Sequence, residues 1–291
     1  MKKTLGPLYV LTAGTLWGSM GVFVRHFNAA GLNSMEIAWF RMLFGLVAVG
    51  AYLALFHRDL LRIRLKDLWC FLGTGIVSLF LLNLTYYTAM RYTSLAVAGV
   101  LLYTAPIFVM LLSALLFREQ VTARKLLALV LAFLGCALVS GIGTDSQISL
   151  AGLLWGLGAG ITYALYSIFG RFAIDRGYGS WTMTFWSFVF CFLCSCFFCD
   201  WQLLSTVWVQ PAEIGWAAAM GIITGFLSYV FYGLGLERME GSRAAILASV
   251  EPVVAALFSV LLFHEPMGIG GIIGMILVLG AITVLSVQKK S

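Results

Sequence analysis

Residues 106–119 read PIFVMLLSALLFRE, and residues 252–265 read PVVAALFSVLLFHE. The two stretches both begin with a proline and end with a glutamate, and they share five further identities, all at an offset of 146 positions. Chance similarity between two apolar runs rarely places the proline and the glutamate together. We therefore infer that the chain contains two copies of one repeated unit. The alternative is two unrelated halves that happen to align.

The match extends outward from these stretches over the five apolar segments of each half without a gap. Aligned pairs include Leu11 with Leu157, Gly14 with Gly160, Phe23 with Phe169, Arg25 with Arg171, Gly31 with Gly177 and Tyr86 with Tyr232. The repeat divides the chain into two predicted domains, residues 1–145 and 146–291.

The composition is typical of a membrane protein. Apolar residues make up 62% of the chain, charged residues only 10%, and the mean hydropathy is +0.99. A soluble domain usually carries about a quarter of charged residues, so that class is excluded. Ten apolar segments lie at roughly 7–24, 35–56, 68–90, 94–117, 125–142, 150–170, 181–199, 213–236, 241–263 and 268–286. Each is near the ~20 residues that a spanning helix needs, and no alternation typical of a membrane barrel is present.

The basic residues predict the orientation of these spans. One set of alternate connections, together with both termini, carries Lys2, Lys3, Arg58, Arg62, Arg64, Lys66, Arg118, Arg124, Lys125, Arg171, Arg176, Arg238, Arg243, Lys289 and Lys290. The other set carries only Arg25 and Arg91. The positive-inside rule then places both termini in the cytoplasm, and topology accounts for the basic pI without a nucleic-acid partner. Because each repeat has five spans, the second lies upside down relative to the first.

Several motifs resemble one known family. They are Leu16–Ser19 (LWGS), Phe40–Arg41, and the two stretches Tyr103–Glu119 and Val250–Glu265. On these residues the whole chain looks like the EamA-type branch of the drug/metabolite transporter superfamily. The resemblance implies an all-α membrane protein with ten transmembrane helices in two inverted five-helix repeats, surrounding a central cavity. It departs at Tyr163–Ala164 and Ser187, which stand where the first repeat has Trp17–Gly18 and Arg41.

Two ionisable residues, Arg41 and Glu251, lie well inside predicted spans. A charge at that depth costs at least about 2.5–3.5 kcal/mol, which calls for a compensating role. One interpretation is a binding site in which Glu251 receives a cation or a proton and Arg41 holds an anion. The alternatives are a fixed Arg41–Glu251 ion pair and an Arg41 side chain that reaches outward.

Two prolines and a set of mid-span polar aromatics complete the predicted site. Pro106 and Pro252 cannot donate backbone hydrogen bonds, which predicts helix breaks that mark a binding site, with a simple packing kink as the alternative. The candidate substrate contacts besides Arg41 and Glu251 are Trp17, Asn83, Tyr86, Tyr103, Tyr163 and Tyr232. Aromatic rings of this kind suit a cationic or flat solute, although helix bundles also use them as packing.

The resulting prediction is a secondary carrier that moves a small metabolite, amino acid or drug-like solute by alternating access, with export as the first choice. Uptake of a cationic or zwitterionic metabolite is the alternative. A channel is disfavoured because no charged ring or filter segment is present. An intramembrane enzyme acting on lipid would need catalytic residues that His26, His57 and His264, spread over different connections, do not supply.

The predicted partners follow from this assignment. They are a small-molecule substrate and the lipid bilayer of the plasma membrane, the inner membrane of a bacterium. No cofactor and no metal is expected, because the thiols of Cys191, Cys194, Cys196 and Cys199 spread around a helix instead of converging. Proton coupling through Glu251 and a homodimer formed through glycine-lined helix faces stay open.

Overall fold

The computed structural model describes residues 5–141 and 149–286, and these residues form helices and connecting turns with no strand. The long helices are α1 (Leu5–Ala29), α2 (Ser34–Phe56), α3 (Leu65–Tyr92), α4 (Leu95–Phe117), α5 (Ala123–Val139), α6 (Leu150–Asp175), α7 (Ser180–Ser195), α8 (Pro211–Leu236), α9 (Gly241–Phe263) and α10 (Ile269–Ser286). Within this described part, eight helices are long and apolar enough to cross a membrane, and α5 and α7 are shorter, with 17 and 16 residues. The chain is a multi-pass membrane protein.

The backbone repeats its unusual conformations at the offset of 146 seen in the sequence. The related positions are Gly31 and Gly177, both with φ of 88°, and Arg118 and His264, with φ of 56° and 53°. The π-helical segments Gly73–Phe80 and Gly221–Leu227 overlap at this offset, although they begin 148 residues apart. Glycine adopts positive φ at no steric cost, whereas arginine and histidine do so only where the surrounding structure requires it. The two halves therefore share their turns as well as their apolar pattern.

The helices of the two repeats interdigitate, and the repeats do not form two separate bundles. Helix α1 of the first repeat packs on α8 and α9, and helix α6 of the second packs on α3 and α4, which is the equivalent arrangement. Helices α5 and α10 pack as a pair. Each helix therefore buries its surface mainly against the other half of the chain.

Glycines make these crossings close. A Cβ placed on Gly18 would lie 2.8 Å from the carbonyl oxygen of Glu251, and one on Gly274 would lie 2.6 Å from the carbonyl oxygen of Gly135. Small residues let helix backbones approach in this way where lipid provides no hydrophobic drive between helices. The Gly274 face, one of those expected to support a homodimer, is thus used within the chain.

The prediction of one span over residues 181–199 is wrong at its C-terminal end. Helix α7 stops at Ser195, and a separate short helix follows at Trp201–Trp208. The side chain of Asp200 accepts hydrogen bonds from the backbone N–H groups of Gln202 and Leu203, at 2.9 and 3.1 Å. An aspartate in this position starts a new helix by satisfying its first N–H groups.

Candidate functional site

A small cavity lies where two interrupted helices face each other. Helix α4 is interrupted at Tyr103–Thr104, just before Pro106, and α9 is interrupted at Ser249, just before Pro252. The cavity is lined by Tyr103, Ala105, Pro106 and Val109 of α4, Tyr163, Ala164 and Ser167 of α6, Tyr232 of α8, and Ala245, Ala248, Ser249 and Glu251 of α9. The helix breaks of both repeats therefore contribute to one site.

Glu251 is the one charged side chain among the lining residues. It is half-buried and lies in the first turn of the segment Val250–Phe263, where the helix dipole favours a negative charge. The Tyr163 hydroxyl donates to its Oε2 atom over 3.4 Å, a long and therefore weak bond. The carboxylate is thus held in place but keeps acceptor capacity toward the cavity.

An aromatic cluster forms the wall next to Glu251. The Trp17 ring lies edge-on to Tyr163 and Tyr229, with centroids 6.3 and 5.1 Å away, and it is tilted against Tyr232 at 5.3 Å. The hydroxyls of Tyr232 and Ser167 are 2.8 Å apart. Trp17 itself is buried behind the wall, so it supports Tyr163 and Tyr232 and does not line the cavity.

Arg41 does not form an ion pair with Glu251 within 4.0 Å in the described part of the chain. Its Nε atom is buried and, like the Trp17 Nε1 and Asn83 Nδ2 atoms, has no hydrogen-bond partner among the described residues. Neither Arg41 nor Asn83 lines the cavity, and the same holds for Tyr86, whose ring lies 6.1 Å from that of Tyr87. The structure therefore brings Glu251, Tyr103, Tyr163, Tyr232 and Pro106 together and leaves the other candidates around them.

Sequence reasoning missed the small lining residues. Ala245 and Ser249 line the cavity on α9, and Ser167 lines it on α6, where its hydroxyl lies 2.8 Å from that of Tyr232. Their signal is weak, because small residues in membrane helices more often mark close helix packing than a cavity. Their position on the helix turns flanking Pro252 is the one feature that sets them apart.

One end of the cavity is sealed by packing. Ala105, Val109, Ala164 and Ala245 form a small buried cluster, joined by Phe108 and Tyr163. Here the segment Ala105–Phe117 of α4 packs on the segment Gly241–Ala248 of α9. The repeat-related segments at the other end, Leu95–Leu102 and Val250–Phe263, hardly touch. The cavity is therefore closed toward Gly241 and less enclosed toward Phe263.

Comparison with known proteins gives a consistent result. A model of the EamA-like transporter family matches residues 4–141 and again residues 150–287. An uncharacterized transporter of Archaeoglobus fulgidus is 27% identical, with 96% of this chain and 95% of that protein aligned. The uncharacterized inner membrane transporter YicL of Salmonella typhimurium is 27% identical over 98% of this chain and 96% of its own length. A solved crystal structure with 19% identity aligns with a TM-score of 0.80, over 96% of this chain and 95% of that chain, and shows a shared fold.

Proposed function

Because this chain belongs to the EamA-like transporter family, we propose that it is a secondary carrier that moves a small solute across the membrane by alternating access. The observation that carries the proposal is the cavity at the facing breaks of α4 and α9, with Glu251 in its wall. Binding sites at broken helices between related repeats are the usual arrangement in secondary transporters. The named relatives are transporters, which favours transport over an enzymatic role.

The proposed topology has ten spans in two inverted repeats, residues 1–145 and 146–291, with both termini in the cytoplasm. This requires α5 and α7 to cross with 17 and 16 residues. At 1.5 Å per residue these helices are about 24–26 Å long, which spans a hydrocarbon layer only where the bilayer is thin or the helix ends are shielded by protein. The excess of Lys and Arg in alternate connections supports the orientation. The membrane is the plasma membrane.

The proposed substrate is a small amphipathic metabolite, amino acid or drug-like solute that presents a cationic group to Glu251. The tyrosine rings of the wall offer faces for a cation or a flat group, and their hydroxyls offer hydrogen bonds. In the proposed orientation the less enclosed end of the cavity faces outside. Export is the proposed direction.

Counterflow tests the carrier mechanism. Purified protein in liposomes is first matched to a ligand by a thermal-shift screen of amino acids, nucleosides, polyamines and quaternary amines. Liposomes loaded with the unlabelled ligand should then accumulate the labelled ligand transiently above equilibrium, because a carrier exchanges one bound molecule for another. Equal uptake with and without internal ligand would indicate a channel, and altered product would indicate an enzyme. An imposed pH gradient that accelerates net flux would add proton coupling, and its sign would separate export from uptake.

The inverted arrangement makes its own prediction. Val121 and Met267 are repeat-related positions, 146 apart, in the connections after α4 and α9. In a variant without the natural cysteines, a cysteine at position 267 should react with an impermeant maleimide in intact cells. A cysteine at position 121 should react only after the membrane is opened. Reaction of both from the same side would contradict the inverted repeat.

A further inference from the structure

Two repeat-related glutamates lie at opposite ends of α9. Glu119 follows α4 and contacts the first residues of α9, whereas Glu265 comes just after the last residue of α9. Helix α9 has 23 residues, so the two carboxylates are separated by about 34 Å along its axis. One of them lies at the sealed end of the cavity and the other at the less enclosed end.

Glu119 is fully engaged in closing the sealed end. Its carboxylate accepts hydrogen bonds from the backbone N–H groups of Gly241 and Ser242, at 2.9 and 3.3 Å, and from the Ser242 hydroxyl at 2.5 Å. Lys125 Nζ lies 3.8 Å away, and the Glu119 side chain is only 9% exposed. A carboxylate on the first N–H groups of a helix is a strong contact, because charge, dipole and hydrogen bonds act together. It joins the end of α4 to the start of α9.

Glu265 has the opposite surroundings. It is 46% exposed and pairs with Arg25 of α1 at 2.6 Å, and it also accepts a hydrogen bond from the Ser259 hydroxyl. The Arg25 guanidinium stacks 4.3 Å above the Phe263 ring and lowers the pKa of the Glu265 carboxyl to about 2. Glu265 is therefore charged at neutral pH, but it does not contact the start of α4.

Each glutamate has the other's partners at repeat-related positions. The counterparts of Arg25, Ser259 and Phe263 are Arg171, Ser113 and Phe117, and the counterparts of Gly241 and Ser242 are Leu95 and Ala96. Arg171 at present pairs with Asp175 of its own helix at 3.0 Å, and the Phe117 ring packs 4.8 Å from Phe172, the residue after Arg171. Arg171 and Phe117 are thus the repeat counterparts, for Glu119, of the arginine and the aromatic ring that Glu265 contacts.

We propose that Glu119 and Glu265 form a pair of latches that exchange partners when the cavity changes the side to which it opens. In the observed state Glu119 accepts hydrogen bonds from the first residues of α9, and Glu265 forms an ion pair with Arg25. In the opposite state Glu119 moves to Arg171, and Glu265 takes the backbone N–H groups of Leu95 and Ala96. The inference rests on the proposed carrier function and adds the residues that set which end is shut.

The two latches are unequal, which favours the observed state at rest. Ser242 supplies a hydroxyl to Glu119, whereas Glu265 would meet Ala96 at the related position. Lys125, beside Glu119, is replaced by Gly271 in the second repeat. The start of α4 is also already capped, because the Ser94 hydroxyl accepts from the Val97 N–H group at 3.2 Å, and Glu240 makes no such side-chain cap for α9.

Accessibility of a cavity cysteine tests the latches without a substrate. The reporter is Ser249→Cys in a variant whose six natural cysteines are replaced, with Ala248→Cys as a second reporter. A small, charged, membrane-impermeant methanethiosulfonate is added to one face of the liposomes at a time. In the parent protein we expect modification mainly from the Glu265 side.

Four substitutions predict shifts in the ratio of modification from the two sides. Ser242→Ala removes a buried hydrogen bond to a charged group in the observed state, and it should raise modification from the Glu119 side about tenfold. Ala96→Ser adds the missing hydroxyl to the other latch and should shift the ratio the same way. Arg25→Ala should raise modification from the Glu119 side by only about two- to fivefold, because its ion pair with Glu265 is exposed. Arg171→Ala should lower modification from that side.

Arg91→Ala, at an exposed arginine outside both ion pairs, is the control and should leave the ratio unchanged. Ratios are compared only for variants that elute as the parent does from a sizing column. If Arg25→Ala and Arg171→Ala shift the ratio in the same direction, or if Ser242→Ala behaves as Arg91→Ala, the latch proposal is wrong. Failure of the parent in counterflow would instead remove the carrier function, which the labelling ratio does not measure.

Discussion

Glu251→Gln is expected to weaken binding of a cationic ligand about thirtyfold and, with the ligand at the parent Kd, to reduce site occupancy and therefore counterflow about fifteenfold. The substitution keeps the size of the side chain and an acceptor for Tyr163, but it removes the one charge in the cavity wall. A hydrogen bond to a charged group contributes about 2 kcal/mol, and 1.4 kcal/mol corresponds to a factor of ten. At a ligand concentration of a hundred times Kd, stabilisation by the ligand should fall from about 2.7 to about 0.9 kcal/mol.

Thermal unfolding with and without the ligand measures this loss. Glu213→Gln is the matched control, because Glu213 is also a partly buried carboxylate, bonded to His26 at 2.8 Å, but it lies outside the cavity. It should leave the ligand-induced shift in Tm unchanged. Equal ligand shifts in the parent and in Glu251→Gln would remove Glu251 from the binding site.

Gly18→Ala is expected to destabilise the protein by about 2–4 kcal/mol relative to Gly21→Ala, three residues further along the same helix. A Cβ at position 18 would lie 2.8 Å from the Glu251 carbonyl oxygen and 2.6 Å from Val254 Cβ, whereas one at position 21 has no described heavy atom within 4 Å. Overpacking of this kind costs about 1–3 kcal/mol, and replacing an unhindered helical glycine by alanine gains up to about 1 kcal/mol.

The readout is the Tm in detergent together with the yield of monodisperse protein. Because both substitutions add the same methyl group, they share any general effect of alanine on expression. An equal Tm for the two variants would show that α1 does not cross α9 as closely as the structure has it. The test is independent of the substrate and of the transport direction.

The features that sequence predicted well are those whose cause is local. A proline within a helix predicts a break, as Pro106 and Pro252 do, and the offset of 146 indicates that these two breaks are repeat-related. The repeat also extends to backbone geometry, since Gly31 and Gly177 share the same positive φ. The two stretches that contain these prolines, Tyr103–Glu119 and Val250–Glu265, also carry the resemblance to the family that the comparison shows.

The features that sequence missed depend on contacts between distant parts of the chain. The sequence does not indicate the partners of Glu119: its side chain is only 9% exposed because Gly241 and Ser242, 122 and 123 positions later, supply its donors. Arg41 was considered as an ion-pair partner of Glu251, but the described residues show no such pair within 4.0 Å. Helix α7 ends at Ser195, four residues before the predicted end of its span, and the backbone N–H group of Asp200 beyond it donates to the Glu36 carboxylate at 3.0 Å. The partners of Glu119 and of the Asp200 N–H group lie in distant parts of the chain, which the local sequence does not indicate.

The interlocked packing of the two repeats has a consequence for biogenesis. Helices α1 and α6 each pack chiefly on helices of the opposite repeat, and α5 meets α10 at Gly135 and Gly274. When the ribosome has released only the first five helices, their glycine-lined grooves face lipid, because the helices that pack into them are not yet synthesised. The early half of the polypeptide must therefore persist in the bilayer as a loosely associated intermediate, open to quality-control proteases, until the late half inserts and completes it.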